Sequence, residues 1–246
     1  SCRNLAADVF RKTKSYDTAI YNYFNEKEAI CWDLEKKSSF RYGENPHQKG
    51  VFFGNIDDVF EQLHGKQISY NNLLDIEAAV QLIADFDETT FAVLKHNNAC
   101  GVASREKLVD AWNDALAGDP ISAFGGILIT NKEIDMATAI EIDKIFFEVI
   151  IAPSYAEDAL QVLKKKKNRI ILIQKMFDFP KTQYRSMLNG ALVQDRDLKM
   201  EIESDLEPAT TKVPIKEEIE DLLFANKLVK HSKSNTIVLA KNKQLC

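Results

Sequence analysis

Apolar residues recur along this chain in two rhythms, and their alternation predicts the architecture. Short runs of strand formers, Phe91 to Leu94, Ile127 to Ile129, Ile145 to Ala152 and Ile170 to Ile173, read as buried strands. Between them the apolar residues fall at helical spacing. Residues 3 to 30 carry Leu5, Val9, Phe10, Tyr16, Ala19, Ile20 and Phe24, which predicts two helical pieces, with a weak point near Ser15, packed against the next elements of the chain. Leu34 to Phe40 is a charged connector, and Val51 to Phe53 a short strand. Asn55 caps a predicted helix with Ile56, Val59, Phe60 and Leu63 on one face, ended by Gly65. A polar stretch, Lys66 to Asn72, then opens a helix with Leu73, Ile76, Val80 and Ile83 inward.

The pattern continues in the second half. Ser104 is the predicted cap of a helix that buries Leu108, Val109, Trp112, Ala115 and Leu116. Lys132 to Asp143 is the next helix, and Ser154 with Glu157 forms a capping box for another. A strand is expected around Ala191 to Val193, an irregular stretch from Leu206 to Pro214, and a helix holding Ile219, Leu222, Leu223, Leu228 and Val229. Thr236 to Ala240 is the expected last strand. Helices and strands that alternate with short links imply a layered α/β fold, with the strand order left open.

Composition narrows the function. The chain has 246 residues, 28% charged and 45% hydrophobic, and a net charge of -5. Nothing resembles the clustered basic surface of a nucleic-acid binder. The basic run from Lys164 to Arg169 suits a solvated helix end. No apolar run is long enough to span a membrane. Cys2, Cys31, Cys100 and Cys246 show no C-x-x-C spacing, which suits reduced, cytosolic thiols and argues against a zinc site, including that of a deaminase-like hydrolase. Fingerprints of dinucleotide, P-loop, serine-hydrolase and zinc-protease sites are missing.

Candidate chemistry gathers in polar clusters. Lys95, His96, Asn97 and Asn98 follow directly on a buried strand, and the strand ends of open α/β sheets are where ligands usually bind. Lys95 and His96 point to opposite faces on an extended backbone, so a turn is needed to bring both to one substrate. The cluster reads either as catalytic or as a basic pair at a surface turn. Arg41 to Gln48 is a binding loop or a hydrated turn. Tyr70, Asn71 and Asn72 lie at a helix start that favours anions. Gly125 and Gly126 follow Phe124 in a tight loop. Glu148 sits in an apolar run, where it serves a site, a structural pairing or a strand edge. Lys230-His231 with Asn235 repeats the Lys-His-Asn theme of Lys95-His96 and hints at duplication.

Six segments, in order, carry a family resemblance: Arg41-Tyr-Gly-Glu-Asn-Pro-His-Gln48, Ser69-Tyr-Asn-Asn-Leu-Leu-Asp75, Leu94-Lys-His-Asn-Asn-Ala-Cys-Gly101, Asp119-Pro-Ile-Ser-Ala-Phe-Gly-Gly126, Phe147-Glu-Val-Ile-Ile-Ala-Pro153 and Lys233-Ser-Asn235. Together they resemble the transformylase domain of the bifunctional AICAR transformylase/IMP cyclohydrolase family. The resemblance implies three-layer α/β subdomains of cytidine-deaminase type, duplicated and without the deaminase zinc. It implies formyl transfer from 10-formyltetrahydrofolate to the 5-amino group of AICAR, giving FAICAR, in a cytoplasmic homodimer with shared active sites. A bound monovalent cation is compatible with it, and a non-catalytic nucleotide-binding or assembly domain is the alternative.

By the family pattern Lys95 and His96 are the catalytic pair, and Asn235 orients His96 or the amine. Arg41, Tyr42, Asn72, Phe124, Gly125 and Glu148 bind substrate. Asn98-Ala99 stands where the family often has Asn-Pro, which implies a less rigid turn. The resemblance divides the chain into residues 1–30, the end of a cyclohydrolase domain with linker helices, 31–200, a first transformylase subdomain, and 201–246, the start of a second. The family's later G-Q-x-x-R segment does not occur, so the chain is expected to be a fragment, open to weak binding or inactivity.

Overall fold

The structure, a computed structural model, describes residues 2–25 and 36–246. Its centre is a six-stranded mixed sheet in the order β3-β8-β7-β6-β4-β5, formed by β3 (Phe60–His64), β4 (Thr90–Lys95), β5 (Asn98–Ser104), β6 (Ile127–Thr130), β7 (Val149–Ala152) and β8 (Ile170–Gln174). β6, β7 and β8 are parallel, while β4 runs antiparallel to both β6 and β5, and β3 antiparallel to β8.

Strand periodicity of two sorts the core into two layers. Ala92, Leu94, Ile127, Ile129, Val149, Ile151, Ile170 and Leu172 face α2 (Tyr70–Ile83) and α6 (Lys216–Lys230), meeting Ile76, Ala79, Val80, Ile83, Phe224 and Leu228. Phe91, Val93, Leu128, Ile150 and Ile171 face α3 (Leu108–Gly118), α4 (Met136–Ile142) and α5 (Glu157–Leu163), meeting Trp112, Ala115, Ile142, Ala159 and Leu163. β6, β7 and β8 lie covered on both faces, so they read as unbroken apolar runs.

Several expectations are corrected. Cys2–Phe24 is one helix, α1, not two pieces; Thr13 and Thr18 bond back to carbonyls a turn earlier, and Ser15 does not interrupt it. None of its described residues is buried, so its apolar stripe does not pack as expected. The first two residues of the connector, Leu34 and Glu35, and the end of the first helical stretch lie outside the described residues; Lys36–Ser39 forms β1, antiparallel to β2 (Val51–Phe53). Residues 56–63 do not form one helix. A 3₁₀ turn, Ile56–Asp58, precedes β3, because edge pairing with β8 outweighs the helical spacing.

Ser104 ends β5 and does not cap α3, whose first turn begins at Leu108. α4 starts only after Asp135, whose side chain accepts the Thr138 N–H. Ser154 bonds Glu133 instead of capping α5. The strand around Ala191 to Val193 is the second arm of a hairpin, β9 (Thr182–Met187) with β10 (Gly190–Asp195). Residues 236–239 form no strand. The next segment lies along the outer edge of β5 instead, where Ser104 N–H donates to Lys243 O at 3.0 Å and Leu245 N–H to Val102 O at 2.8 Å.

Gly101 explains how α3 reaches the sheet so closely. A Cβ at this position would stand 1.9 Å from the Ala115 carbonyl oxygen, so only glycine fits.

Candidate active site

β4 delivers Lys95 to the sheet edge, and the chain turns back through His96 and Asn97 into β5. Lys95 pairs with Asn98, so the loop is two residues long. His96 and Asn97 both have positive φ, 51° and 64°. That is the type I′ geometry that matches strand twist, in the residue types that tolerate the left-handed region best after glycine. Asn98-Ala99 therefore lies in β5, after the turn, and Ala99 pairs with Leu94. A register shift leaves Cys100 as the extra residue of a bulge, with its thiol donating to Val93 O at 3.5 Å. Burial and the nearby Asp119 carboxylate push this thiol up to about 11.

Because β4 opposes β6 in direction, its C-terminal end lies beside the N-terminal ends of β6 and β7. The Lys95 cluster therefore stands at the amino edge of the parallel strands, opposite to the carboxyl edge at which open parallel sheets usually bind ligands. There Gly125 adopts φ +72° and donates its N–H to Phe146 O at 2.8 Å. Lys95 Nζ donates to Phe124 O at 2.8 Å, which fastens the ammonium to this loop.

The start of α2 forms the next wall. Ser69 caps the helix: its Oγ accepts the Asn72 N–H, and the Asn72 side chain accepts the Ser69 N–H in return. The other end of the Asn72 amide donates to Glu148 Oε2 at 3.0 Å. Lys66 Nζ reaches the same oxygen at 3.0 Å. Burial pushes the Glu148 carboxyl up, but these two bonds together outweigh it and hold the group below the usual carboxylate range. Three residues on, Asp75 Oδ1 accepts the Asn97 N–H at 2.8 Å. Burial raises Asp75 above the usual range, against the pull of that bond and of the His96 charge, and Glu148 adds to the rise. Asn71 donates to Glu44 O at 3.2 Å and so ties the Arg41–Gln48 turn to the same helix.

These elements enclose a cleft of about 640 Å³. Arg41, Tyr42, Asn72, Lys95, His96, Gly125 and Glu148 all line it. Phe124 adjoins through its carbonyl, with its ring exposed against Phe146. Asn235 is exposed in the irregular segment after α6 and is not among the lining residues. Lys230 and His231, which resembled Lys95 and His96 in sequence, end a helix and bind Asp85 at 3.1 and 2.6 Å. Asp85 lies past the far end of α2, about 20 Å along the helix from the cleft. Lys66 and Asp75 are the cleft residues that sequence reasoning missed. Both lie in segments it had marked, but their roles depend on partners 82 and 22 positions away.

Among the described residues no group of three or more His, Cys, Asp or Glu side chains could hold a metal ion. No described helix is long and apolar enough to cross a membrane.

With that geometry in place, comparison with known proteins is decisive. The sequence model of the family described as AICARFT/IMPCHase bienzyme matches residues 1–246. The chain belongs to the AICARFT/IMPCHase bienzyme family. A relative from Bacteroides thetaiotaomicron, named bifunctional purine biosynthesis protein PurH, is 60% identical over 245 residues, covering 99% of this chain and 48% of the relative. A protein of the same name from Acetivibrio thermocellus is 44% identical over 257 residues, covering 98% and 50%. The chain thus spans about half the length of the curated relatives it matches in the AICARFT/IMPCHase family.

Proposed function

We propose that this chain carries the formyl-transfer half of a bifunctional purine-biosynthesis enzyme and that the cleft binds AICAR beside 10-formyltetrahydrofolate. The observation that carries the reading is the meeting of Lys95, His96, Asn72, Glu148 and Arg41 in one cleft. Family membership supplies the reaction class.

The AICAR amine is a weak nucleophile, because its lone pair is delocalised into the imidazole and carboxamide. His96, presented on the turn, is the base that takes its proton as nitrogen attacks the formyl carbon. Oxygen of the formyl group then gains negative charge. The Lys95 ammonium has three donors, one of which is held by Phe124 O, and another stabilises that charge. Collapse of the tetrahedral intermediate expels the folate nitrogen, which takes up a proton, and leaves FAICAR. Arg41 suits the nucleotide phosphate with its paired donors. Glu148 accepts ligand N–H groups beside Asn72.

Cytidine-deaminase-like duplicated subdomains, the division at residues 30 and 200, a cytoplasmic homodimer and a bound monovalent cation belong to the same reading. A site shared across a dimer gives Asn235 a place to act, since a second copy could supply it. Tetrahydrofolate release from 10-formyltetrahydrofolate, followed with AICAR present in the intact protein, tests the proposal. Transfer that His96→Ala lowers by about 10²- to 10⁴-fold is expected of a lost base. AICAR binding without transfer would replace the enzyme by a nucleotide-binding or assembly domain.

A further inference from the structure

The turn that presents His96 is held from outside the hairpin. In a two-residue I′ turn the flanking residues, here Lys95 and Asn98, carry the cross-strand bonding, and the N–H of the second turn residue has no partner within the hairpin. Here that group is the Asn97 N–H, and it donates to Asp75 Oδ1 at 2.8 Å. A second restraint is local: Asn98 Nδ2 donates to His96 O at 2.9 Å. Both turn residues sit in the left-handed region, which costs a residue bearing a Cβ more than it costs glycine.

Asp75 is three residues beyond Asn72, so the two share one face of α2. From that face Asn72 holds the Glu148 carboxylate and Asp75 holds the turn. One rigid helix therefore sets the spacing between both sides of the cleft.

We infer that Asp75 is a positioning residue for the formyl transfer: by accepting the Asn97 N–H it fixes the turn that carries His96, and with it the place of the imidazole beside Lys95. This rests on the transferase reading above. Asp75 need not touch substrate, and its effect passes through the backbone of the turn. A displacement of about 1 Å at a reacting group lowers rates by as much as about 10²-fold.

The test compares Asp75→Ala and Asp75→Asn in the intact protein, with kcat and KM for AICAR and thermal unfolding measured together. Asparagine keeps an oxygen that accepts the Asn97 N–H, and alanine keeps none. Asp75→Ala is expected to lower kcat about 10- to 100-fold with KM changed less than about threefold, and Asp75→Asn to recover to within about fivefold of the parent. An Asp75→Ala enzyme with the parent kcat overturns the inference. So does a loss confined to KM, or an Asp75→Asn enzyme as poor as Asp75→Ala, which would place the effect in the charge. Loss of the cooperative unfolding transition in Asp75→Ala overturns it as well, since the bond would then hold the fold rather than the turn. Failure of the transferase reading is seen separately: the unaltered protein then transfers no formyl group, or His96→Ala keeps full activity.

Discussion

Replacing Asn72 by alanine probes the junction where helix capping and site chemistry share one side chain. The substitution removes three bonds at once. Glu148 loses a charge-assisted bond of 3.0 Å, and Ser69 loses the acceptor for both its N–H and its hydroxyl. Hydrogen bonds to charged groups contribute about 1.5–3 kcal/mol. The lower end applies here, because the Glu148 side chain keeps 35% of its surface in solvent. The reciprocal half of the cap adds about 0.5 kcal/mol. The expected loss is about 2 kcal/mol, or about 4–8 °C in Tm for a chain of this size.

The loss carries a pH signature. Glu148 is held below its ordinary 4.5, so the stability it contributes is fully present above that pH and disappears as the pH falls through the lowered value. Melting curves of parent and Asn72→Ala should therefore be well separated at pH 7 and converge at acid pH, down to the part owed to the cap. A double-mutant cycle with Glu148→Ala should give a coupling of about 1 kcal/mol at neutral pH. A gap that is the same at pH 7 and in acid, or a Tm unchanged at pH 7, would refute the reasoning that Asn72 holds an ionised Glu148.

Two further outcomes are expected away from the cleft. Burial pushes Asp85 up, but its bonds to His231 and Lys230 outweigh this and leave it below its ordinary 3.8. Asp85→Asn should thus lower stability by about 2 kcal/mol at pH 7, a difference that fades in chemical denaturation as pH falls through the lowered value; a gap that persists in strong acid sinks this account. Cys100, half-buried and pushed up to about 11, should stay unmodified when the native protein meets iodoacetamide at pH 7.5, while the exposed Cys2 and Cys246 react. Peptide mapping that finds Cys100 alkylated as fast as Cys2 would contradict its environment.

Much of the fold could be read from the chain because the central strands are buried on both faces. The runs around Phe91, Ile127, Val149 and Ile170 have no competing period, and each holds a strand of the sheet, although the one expected from Ile145 begins only at Val149. β3 was hidden because Ile56, Val59, Phe60 and Leu63 fit a helix locally, and only β8, more than a hundred residues on, offers the edge that makes Phe60–His64 extended. β5 was hidden for the opposite reason. Asn98 to Ser104 is rich in small residues with low strand preference, and it becomes a strand through the tight turn that folds it against β4. Ser104 and Ser154 had the right chemistry for caps, but a strand end and Glu133 claim them.

The site divides in the same way. Lys95, His96, Asn72 and Glu148 were legible as polar residues at the ends of apolar elements. Lys66 and Asp75 were not, because nothing near them in sequence reveals a partner contributed by another element. The likeness of Lys230-His231 to Lys95-His96 was a likeness of letters: one pair ends a helix and binds Asp85, and the other borders a hairpin turn.

The segment along β5 has a consequence for solubility. A sheet that ends in an open strand offers unpaired N–H and C=O groups to any other chain in extended form, and this is a common route to aggregation. Here Ser104 N–H and Val102 O are occupied by Lys243 and Leu245, while Arg105 clamps the covering segment by donating to Asn242 O at 2.7 Å and to Gln244 Oε1 at 3.1 Å. The covered strand is the one that leaves the His96 turn. That covering sits at the end of β5 away from the turn, and anything that peels residues 242–245 off would bare a sticky edge there, so guarding against self-association falls to these few residues.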